Sequence, residues 1–121
     1  MPGKADLLLV EDDPVVERLM VRILDTAGWT VTSVGTADEA LAAPAPRVAV
    51  VDLGIGSGGG VALGERLHAR EPGLPLVFVS GTAPEDPDRA WIESARARFL
   101  GKPFSPGELL AAVDAACGEP A

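Results

Sequence analysis

Short apolar runs alternate along the chain with longer segments in which apolar residues recur at helical spacing. Uniformly apolar runs of four to six residues are typical of parallel strands that are buried on both faces, whereas the longer segments predict amphipathic helices. Regular alternation of the two predicts βα units on a parallel sheet. The pattern therefore predicts five strands and five helices. The strands are expected at residues 6–10, 29–34, 47–51, 75–80 and 98–101.

Turn and capping residues set the boundaries of the predicted helices. Before the first helix, Asp13 offers an N-cap followed by proline at the first helical position, and Gly28 ends that helix. The sequences from Thr36 to Glu39 and from Ser105 to Glu108 are capping boxes that open the second and fifth helices. The third helix is expected at about 60–71, a weaker fourth helix at about 88–95, and the fifth helix from 106 to about 117.

Composition narrows the classes of function. A chain of 121 residues suits one domain, expected over residues 1–121 with a core at about 5–118. It has no apolar run of membrane-spanning length and no apolar signal region at its start, so we expect a soluble, cytoplasmic protein. A net charge of −8 without a basic stripe argues against direct nucleic-acid binding and favours protein partners. The single Cys117 is expected to be a packing residue, and the single His68 a solvated one.

Charged residues follow three of the predicted strands. Glu11, Asp12 and Asp13 come after the first strand, Asp52 after the third, and Lys102 after the fifth. Because the carboxyl ends of parallel strands meet at one edge of a sheet, we expect these side chains to lie close together. Clustered carboxylates repel one another unless a cation joins them. The arrangement therefore predicts a divalent metal beside a lysine, a combination suited to a phosphoryl group.

Four motifs stand in order at the ends of the predicted strands: LLVEDDP at 8–14, VVDL at 50–53, VFVSG at 77–81 and FLGKPF at 99–104. Together they resemble the receiver domains of response regulators, the CheY-like phosphoacceptor modules of two-component signalling. The resemblance covers nearly the whole chain. It implies a three-layer α/β/α, flavodoxin-like fold with a five-stranded parallel sheet of order 2-1-3-4-5.

The resemblance also assigns the acidic residues. It implies that Asp52 accepts a phosphoryl group from a histidine kinase or a histidine phosphotransfer protein. It implies a Mg²⁺ ion bound by Asp12, by Asp52 and by the backbone carbonyl of Gly54, with Glu11 acting through water. Asp13 immediately precedes a proline, so it is better explained as a helix cap than as a further ligand.

Other strand-end residues are expected to sense the phosphoryl group. The Ser80 hydroxyl is expected to donate a hydrogen bond to it, although the same hydroxyl could satisfy a backbone group at the strand end. The resemblance implies that Lys102 pairs with Asp52 before phosphorylation and with the phosphoryl group afterwards, and that the bond to Pro103 is cis. Phe99 occupies an aromatic switch position of the family, but core packing explains a phenylalanine there equally well.

The chain departs from the family pattern in two segments. Glycines fill the loop at 54–60, and with Gly54 and Thr82 beside the site we expect water to reach an acyl phosphate with little steric shielding. The segment 83–97 is rich in proline and predicts a short fourth helix, so the downstream protein target is not evident. The glycine-rich loop and short helix resemble receivers that work with hybrid sensor kinases, and we expect no effector within these residues.

Three other functions remain open at this stage. A relay would return the phosphoryl group to a second histidine, and a pseudo-receiver would only bind partners. A Mg²⁺-dependent phosphohydrolase would share the aspartyl-phosphate chemistry. Hydrolases that resemble haloacid dehalogenases need a second aspartate two residues after the nucleophile, and here that position is Gly54. We therefore expect a signalling module that assists only its own phosphorylation and dephosphorylation.

Overall fold

The computed structural model describes residues 6–56 and 59–118, which form a five-stranded sheet with helices on both faces. The strands are β1 (Asp6–Val10), β2 (Thr30–Val34), β3 (Val48–Asp52), β4 (Leu76–Ser80) and β5 (Arg98–Gly101). All four strand pairs are parallel, and the strand order is β2-β1-β3-β4-β5. This order confirms the predicted flavodoxin-like topology.

Each predicted helix is present close to its predicted position. The helices are α1 (Pro14–Thr26), α2 (Ala37–Ala42), α3 (Gly59–Arg70), α4 (Asp88–Ser94) and α5 (Pro106–Ala116). None of the helices within the described ranges is long and apolar enough to span a bilayer.

Two apolar layers cover the sheet, because successive residues of a strand point to opposite faces. On one face, alternate residues of β1, β3 and β4 pack against α2, α3 and α4. On the other face, the intervening residues pack against α1 and α5. The buried strand residues of the first layer are Leu8, Val10, Ala49, Val51, Leu76 and Phe78, and those of the second are Leu7, Leu9, Val48, Val50, Val77 and Val79.

The two predicted capping boxes differ in the structure. At α5, the Glu108 N–H donates to Ser105 Oγ at 3.1 Å and the Ser105 N–H donates to Glu108 Oε1 at 2.8 Å, so the box is complete. At α2, the Glu39 N–H donates to Thr36 Oγ1 at 3.1 Å, but Glu39 Oε1 accepts from the Gly35 N–H at 3.0 Å. The reciprocal half of that predicted box is therefore displaced by one residue.

The short helix α2 is held at its C-terminal end by a neighbouring helix. Arg70, the last residue of α3, donates from its guanidinium to the carbonyl of Leu41 at 2.7 Å and to that of Ala43 at 3.4 Å. The last carbonyls of a helix have no partner within it, so these bonds satisfy groups that water would otherwise solvate.

The prediction that His68 is a solvated surface residue is wrong. Its ring is half-buried, with the centroid 5.4 Å from that of Trp91, and Nε2 lies 2.8 Å from the Leu74 carbonyl oxygen. The reason is the position of α4, whose tryptophan packs over the face of α3 that carries the histidine. Cys117 is half-buried against the layer formed with α1 and α5, as a packing residue should be.

Candidate functional site

Charged side chains from three strands meet at the carboxyl edge of the sheet. Glu11 follows β1, Asp52 ends β3 and Lys102 follows β5. The Lys102 ammonium nitrogen lies 3.3 Å from Glu11 Oε1 and 3.6 Å from Asp52 Oδ1. The sequence-based expectation that strand ends bring these residues together is therefore confirmed. The lysine contacts two carboxylates rather than Asp52 alone.

Three carboxylates form a compact group beside this lysine. Glu11, Asp12 and Asp52 each offer an oxygen, and these oxygens lie within 4.8 Å of one another. Glu11 is buried, Asp52 is half-buried and Asp12 is exposed, so the group runs from the interior to solvent. Three negative charges face one ammonium, which leaves the group short of positive charge. Its hard oxygen donors and unbalanced charge fit a divalent ion such as Mg²⁺.

Among the residues that the structure describes, Glu11 is the one charged residue in the buried core, with 3% of its surface exposed. Burial raises the pKa of its carboxyl above the ordinary value, and the negative charge of Asp52 raises that pKa further. The Asp13 N–H, 3.1 Å from Glu11 Oε2, and the ammonium of Lys102 oppose this shift. Without a second cation, the site thus disfavours the ionised form of Glu11.

Asp13 lies at the N-cap of α1, the place that its position before proline predicts. Its Oδ1 accepts from the N–H groups of Val15 and Val16 at 2.9 and 3.3 Å. These bonds satisfy two of the helix donors that have no partner within α1. Asp13 is accordingly not among the carboxylates that converge with Asp52.

The residue two positions after Asp52 contacts it through the backbone. The Gly54 N–H donates to Asp52 Oδ1 at 3.3 Å. Gly54 is exposed, and a Cβ atom there would lie 3.8 Å from Asp52 Oδ2, an ordinary van der Waals contact. A side chain at this position would therefore stand directly beside the carboxylate. The predicted ligand role of the Gly54 carbonyl remains a prediction.

Ser80, the last residue of β4, has a hydroxyl that is already in use. Its Oγ accepts from the Thr82 N–H at 3.2 Å, which is the backbone interaction that the sequence left open as the alternative. A hydroxyl oxygen that accepts one hydrogen bond can still donate its own hydrogen.

The backbone of Lys102 is bonded to the end of β4. The Ser80 carbonyl accepts from the Lys102 N–H at 2.8 Å, and the bond from Lys102 to Pro103 is cis, as the resemblance implies.

Phe99 is not a core residue, so the interpretation of this position as core packing is wrong. The residue lies on β5 opposite Phe78 and is 38% exposed. Helix α4 packs mainly against α3, which leaves this part of the β5 face open. A switching role for Phe99 stays a prediction.

Sequence reasoning missed Glu17, which lies near the acidic group. Its carboxylate Oε2 accepts from the Ser33 hydroxyl at 2.6 Å and ties α1 to β2. With Glu11 and Asp12 it lines a shallow groove at the carboxyl edge. Glu17 is the fourth residue of α1, and no motif or apolar spacing in the sequence predicts its contact with Ser33.

The cis bond between Asp86 and Pro87 was not predicted from the sequence either.

Comparison with known protein families identifies the chain. Residues 7–114 match the model of the response regulator receiver domain. The chain belongs to this family. The match covers β1 from Leu7, the other four strands in full and every residue of the acidic group. It agrees with the resemblance drawn from the four strand-end motifs.

Individual relatives agree with this assignment. The chain is 27% identical over 109 residues to the transcriptional regulatory protein CssR of Bacillus subtilis, covering 88% of this chain and 48% of that protein. It is 33% identical over 114 residues to the transcriptional regulatory protein GltR of Pseudomonas aeruginosa, covering 90% and 47%. The chain thus spans about half the length of these two relatives.

A solved structure gives the same fold. The CheY-like response regulator receiver domain protein of Methanospirillum hungatei superposes with a TM-score of 0.84 at 26% identity, and the match covers 93% of each chain. The whole described sheet and its helices therefore follow the receiver architecture. The family is a signalling module that works in two-component systems.

Proposed function

We propose that this receiver accepts a phosphoryl group on Asp52 from a phosphohistidine of a histidine kinase or phosphotransfer protein, and signals through contact with a downstream protein. The observation that carries the proposal is the position of the Asp52 carboxylate, 3.6 Å from the Lys102 ammonium and grouped with Glu11 and Asp12. This is the set of charges that a phosphoryl group requires of an acceptor site.

The transfer is a substitution at phosphorus. One oxygen of the Asp52 carboxylate attacks the phosphorus, an O–P bond forms, and the P–N bond to the donor imidazole breaks. The electron pair of that bond stays on the imidazole nitrogen. If the other ring nitrogen carries no proton, the departing imidazole takes one up. A carboxylate is a weak nucleophile, so the site contributes chiefly by placing Asp52 in line and by offsetting phosphoryl charge with Lys102.

Asp12 and Asp52 are the proposed direct ligands of Mg²⁺, with the Gly54 carbonyl as a third and Glu11 acting through water. The converging carboxylates support this assignment, because hard oxygen donors are the ligands that Mg²⁺ takes in proteins. When bound, the ion neutralises phosphoryl oxygens as the acyl phosphate forms.

After transfer, Ser80 and Lys102 are the proposed ligands of the phosphoryl oxygens. Ser80 would donate its hydroxyl hydrogen, and Lys102 would exchange one anionic partner for another. We propose that these two contacts distinguish the phosphorylated from the free domain. Phe99, whose ring is partly exposed, is the proposed aromatic switch.

An apolar surface beside the site supports a protein partner. Val15 and Leu19 on α1 are 75% and 56% exposed, unusually open for large apolar side chains. The surface continues into a groove lined by Val16, Leu19, Lys102, Pro103 and Phe104. A donor protein that covers this surface would reach the carboxyl edge of the sheet.

We propose that the domain works with cytoplasmic protein partners and contacts neither membrane nor nucleic acid. We also propose that it turns over no other substrate.

Labelling with a small phosphodonor tests the proposal. The protein is incubated with Mg²⁺ and acetyl phosphate, and intact mass spectrometry is expected to show a gain of one phosphoryl group. Asp52→Asn should abolish the gain, whereas the matched control Asp25→Asn, an exposed position on α1, should retain it. Lack of a gain in the unmodified protein would favour a pseudo-receiver. Sustained turnover of p-nitrophenyl phosphate would favour a hydrolase.

A further inference from the structure

Helix α3 carries a row of residues four positions apart: Gly60, Gly64 and His68. Residues at this spacing lie on one face of a helix. We call this row the α3 stripe. It runs from the main chain at Asp52 to the aromatic side chain of α4, and each of its members makes a close contact.

Gly60 rests directly on the phosphoacceptor's main chain. A Cβ atom at this position would lie 2.6 Å from the Asp52 carbonyl oxygen and 2.8 Å from the Leu53 Cα. The Gly60 N–H donates to the Leu53 carbonyl at 2.9 Å. No side chain separates the start of α3 from residues 52 and 53, so a shift of that main chain is passed to the helix directly.

Gly64 gives the aromatic residues room to meet. A Cβ atom there would lie 2.7 Å from Phe78 Cζ and 3.3 Å from Trp91 Cζ3. The Phe78 and Trp91 rings pack edge to face with centroids 6.2 Å apart. Phe78 precedes Ser80 by two residues on β4, so both side chains are on the same face of the sheet.

His68 completes the stripe by fixing the other side of the tryptophan. Its ring contacts Trp91 at a centroid distance of 5.4 Å, and its Nε2 is bonded to the Leu74 carbonyl, which lies just before β4. Trp91 is therefore held against α3 by the whole second half of the stripe. Helix α4 packs mainly on α3 for this reason.

We propose that the α3 stripe transmits phosphorylation of Asp52 to α4, with Trp91 as the residue whose packing changes. The inference rests on the proposed phosphoacceptor function of Asp52. An added phosphoryl group changes charge and contacts at residues 52–54, and a rigid helix seated on that main chain moves with it. Helix α4 then responds through the α3 side of the sheet, a route separate from the proposed Phe99 switch on β5.

The two tryptophans make the proposal measurable, because Trp29 lies in the opposite apolar layer. In Trp29→Phe, all tryptophan emission comes from Trp91. At pH 8, Mg²⁺ and acetyl phosphate should change the wavelength or the intensity of this emission. The change should be absent when Asp52→Asn is added. In Trp91→Phe, the emission of Trp29 should stay constant, and an equal response there would overturn the proposal.

Mass spectrometry of the same samples separates a failure of the α3 route from a failure of Asp52 phosphorylation. A mass gain without a change in Trp91 emission would overturn the α3 route alone. Absence of a mass gain would overturn the proposed function and this inference with it.

Three further variants in the Trp29→Phe background identify the route. His68→Gln removes a ring contact of Trp91 and should lose most of the emission response. The matched control Arg66→Gln, exposed on the same helix away from the stripe, should keep the response. Phe99→Ala should keep it as well. Loss of the response in Phe99→Ala together with retention in His68→Gln would overturn the proposal in favour of a route through β5.

Discussion

The ammonium of Lys102 lies closer to Glu11 than to the proposed phosphoacceptor, at 3.3 Å from Glu11 Oε1 against 3.6 Å from Asp52 Oδ1. Glu11 is also the more buried partner, and a buried anion depends on its counterion more than a half-exposed one does. The lysine therefore serves first to keep Glu11 in the core. Its contact with Asp52 is shared, which leaves it able to follow a new anion at that residue.

Replacing the buried carboxylate with an amide is expected to stabilise the protein in EDTA at neutral pH. Burial raises the folded-state pKa of Glu11, so its ionised form costs stability, and this cost grows as pH rises through that pKa. Below the unfolded-state pKa both states are protonated and the cost disappears. Glu11→Gln should thus have a higher Tm than the unmodified protein at pH 7, with the difference shrinking toward pH 4.

Circular dichroism melts across this pH range provide the measurement. Glu65→Gln, an exposed position on α3, is the matched control and should leave the Tm nearly unchanged. A lower Tm for Glu11→Gln at pH 7 would show that the ion pair with Lys102 outweighs the cost of burial.

Magnesium is expected to stabilise the protein by relieving repulsion among Glu11, Asp12 and Asp52. The Tm should rise with Mg²⁺ concentration once the dissociation constant is exceeded, because an ion that binds only the folded state shifts unfolding by mass action. A stabilisation of 1 kcal/mol corresponds to about 4 °C for a domain of 121 residues. Differential scanning fluorimetry measures the shift.

Asp12→Asn should remove most of the Mg²⁺ response, because Asp12 is the exposed member of the group and a proposed direct ligand. Asp25→Asn, far from the carboxyl edge on α1, should respond like the unmodified protein. A full response in Asp12→Asn would contradict the proposed ligand set.

A larger residue at position 54 is expected to prolong the acyl phosphate. A Cβ atom at Gly54 would stand 3.8 Å from Asp52 Oδ2 without a clash, so a longer side chain can shield phosphorus from water. The half-life of phosphorylated Gly54→Met, measured by mass spectrometry after removal of acetyl phosphate, should increase several-fold. In urea-unfolded samples the two proteins should lose the group at the same rate, and equal folded-state half-lives would refute the shielding argument.

Two glycine-to-alanine changes should act in opposite directions. Gly60→Ala places a methyl group 2.6 Å from the Asp52 carbonyl oxygen, and forced overpacking of this kind costs about 1–3 kcal/mol. Gly107→Ala lies in α5 with its nearest neighbour, Ser105 Oγ, at 3.9 Å, so it should gain about 0.5–1 kcal/mol from helix propensity. Urea unfolding measures both changes. Equal stabilities would contradict the close approach of α3 to β3.

Much of the fold was predictable because local signals agreed with the global topology. The apolar runs before Glu11 and Asp52 are buried on both faces, and proline after Asp13 marks the start of α1. The topology rule for strand ends then brought Lys102 to the acidic residues from 50 and more positions away along the chain.

What could not be predicted depends on contacts between elements distant in sequence. The burial of His68 follows from Trp91, and the exposure of Phe99 follows from the packing of α4 on α3 rather than over β5. The preference of Lys102 for Glu11 is a matter of tenths of an ångström. Neither periodicity nor motif spacing carries information at that scale.

The hydrogen bonds from Arg70 to the end of α2 link the stability of α2 to that of α3. A helix of six residues cannot persist alone in water, because too few hydrogen bonds offset the cost of nucleation. The guanidinium that donates hydrogen bonds to the carbonyls at its C-terminal end belongs to the final residue of α3. The ends of the two helices are therefore coupled: fraying of the last turn of α3 removes the donor that these two carbonyls use.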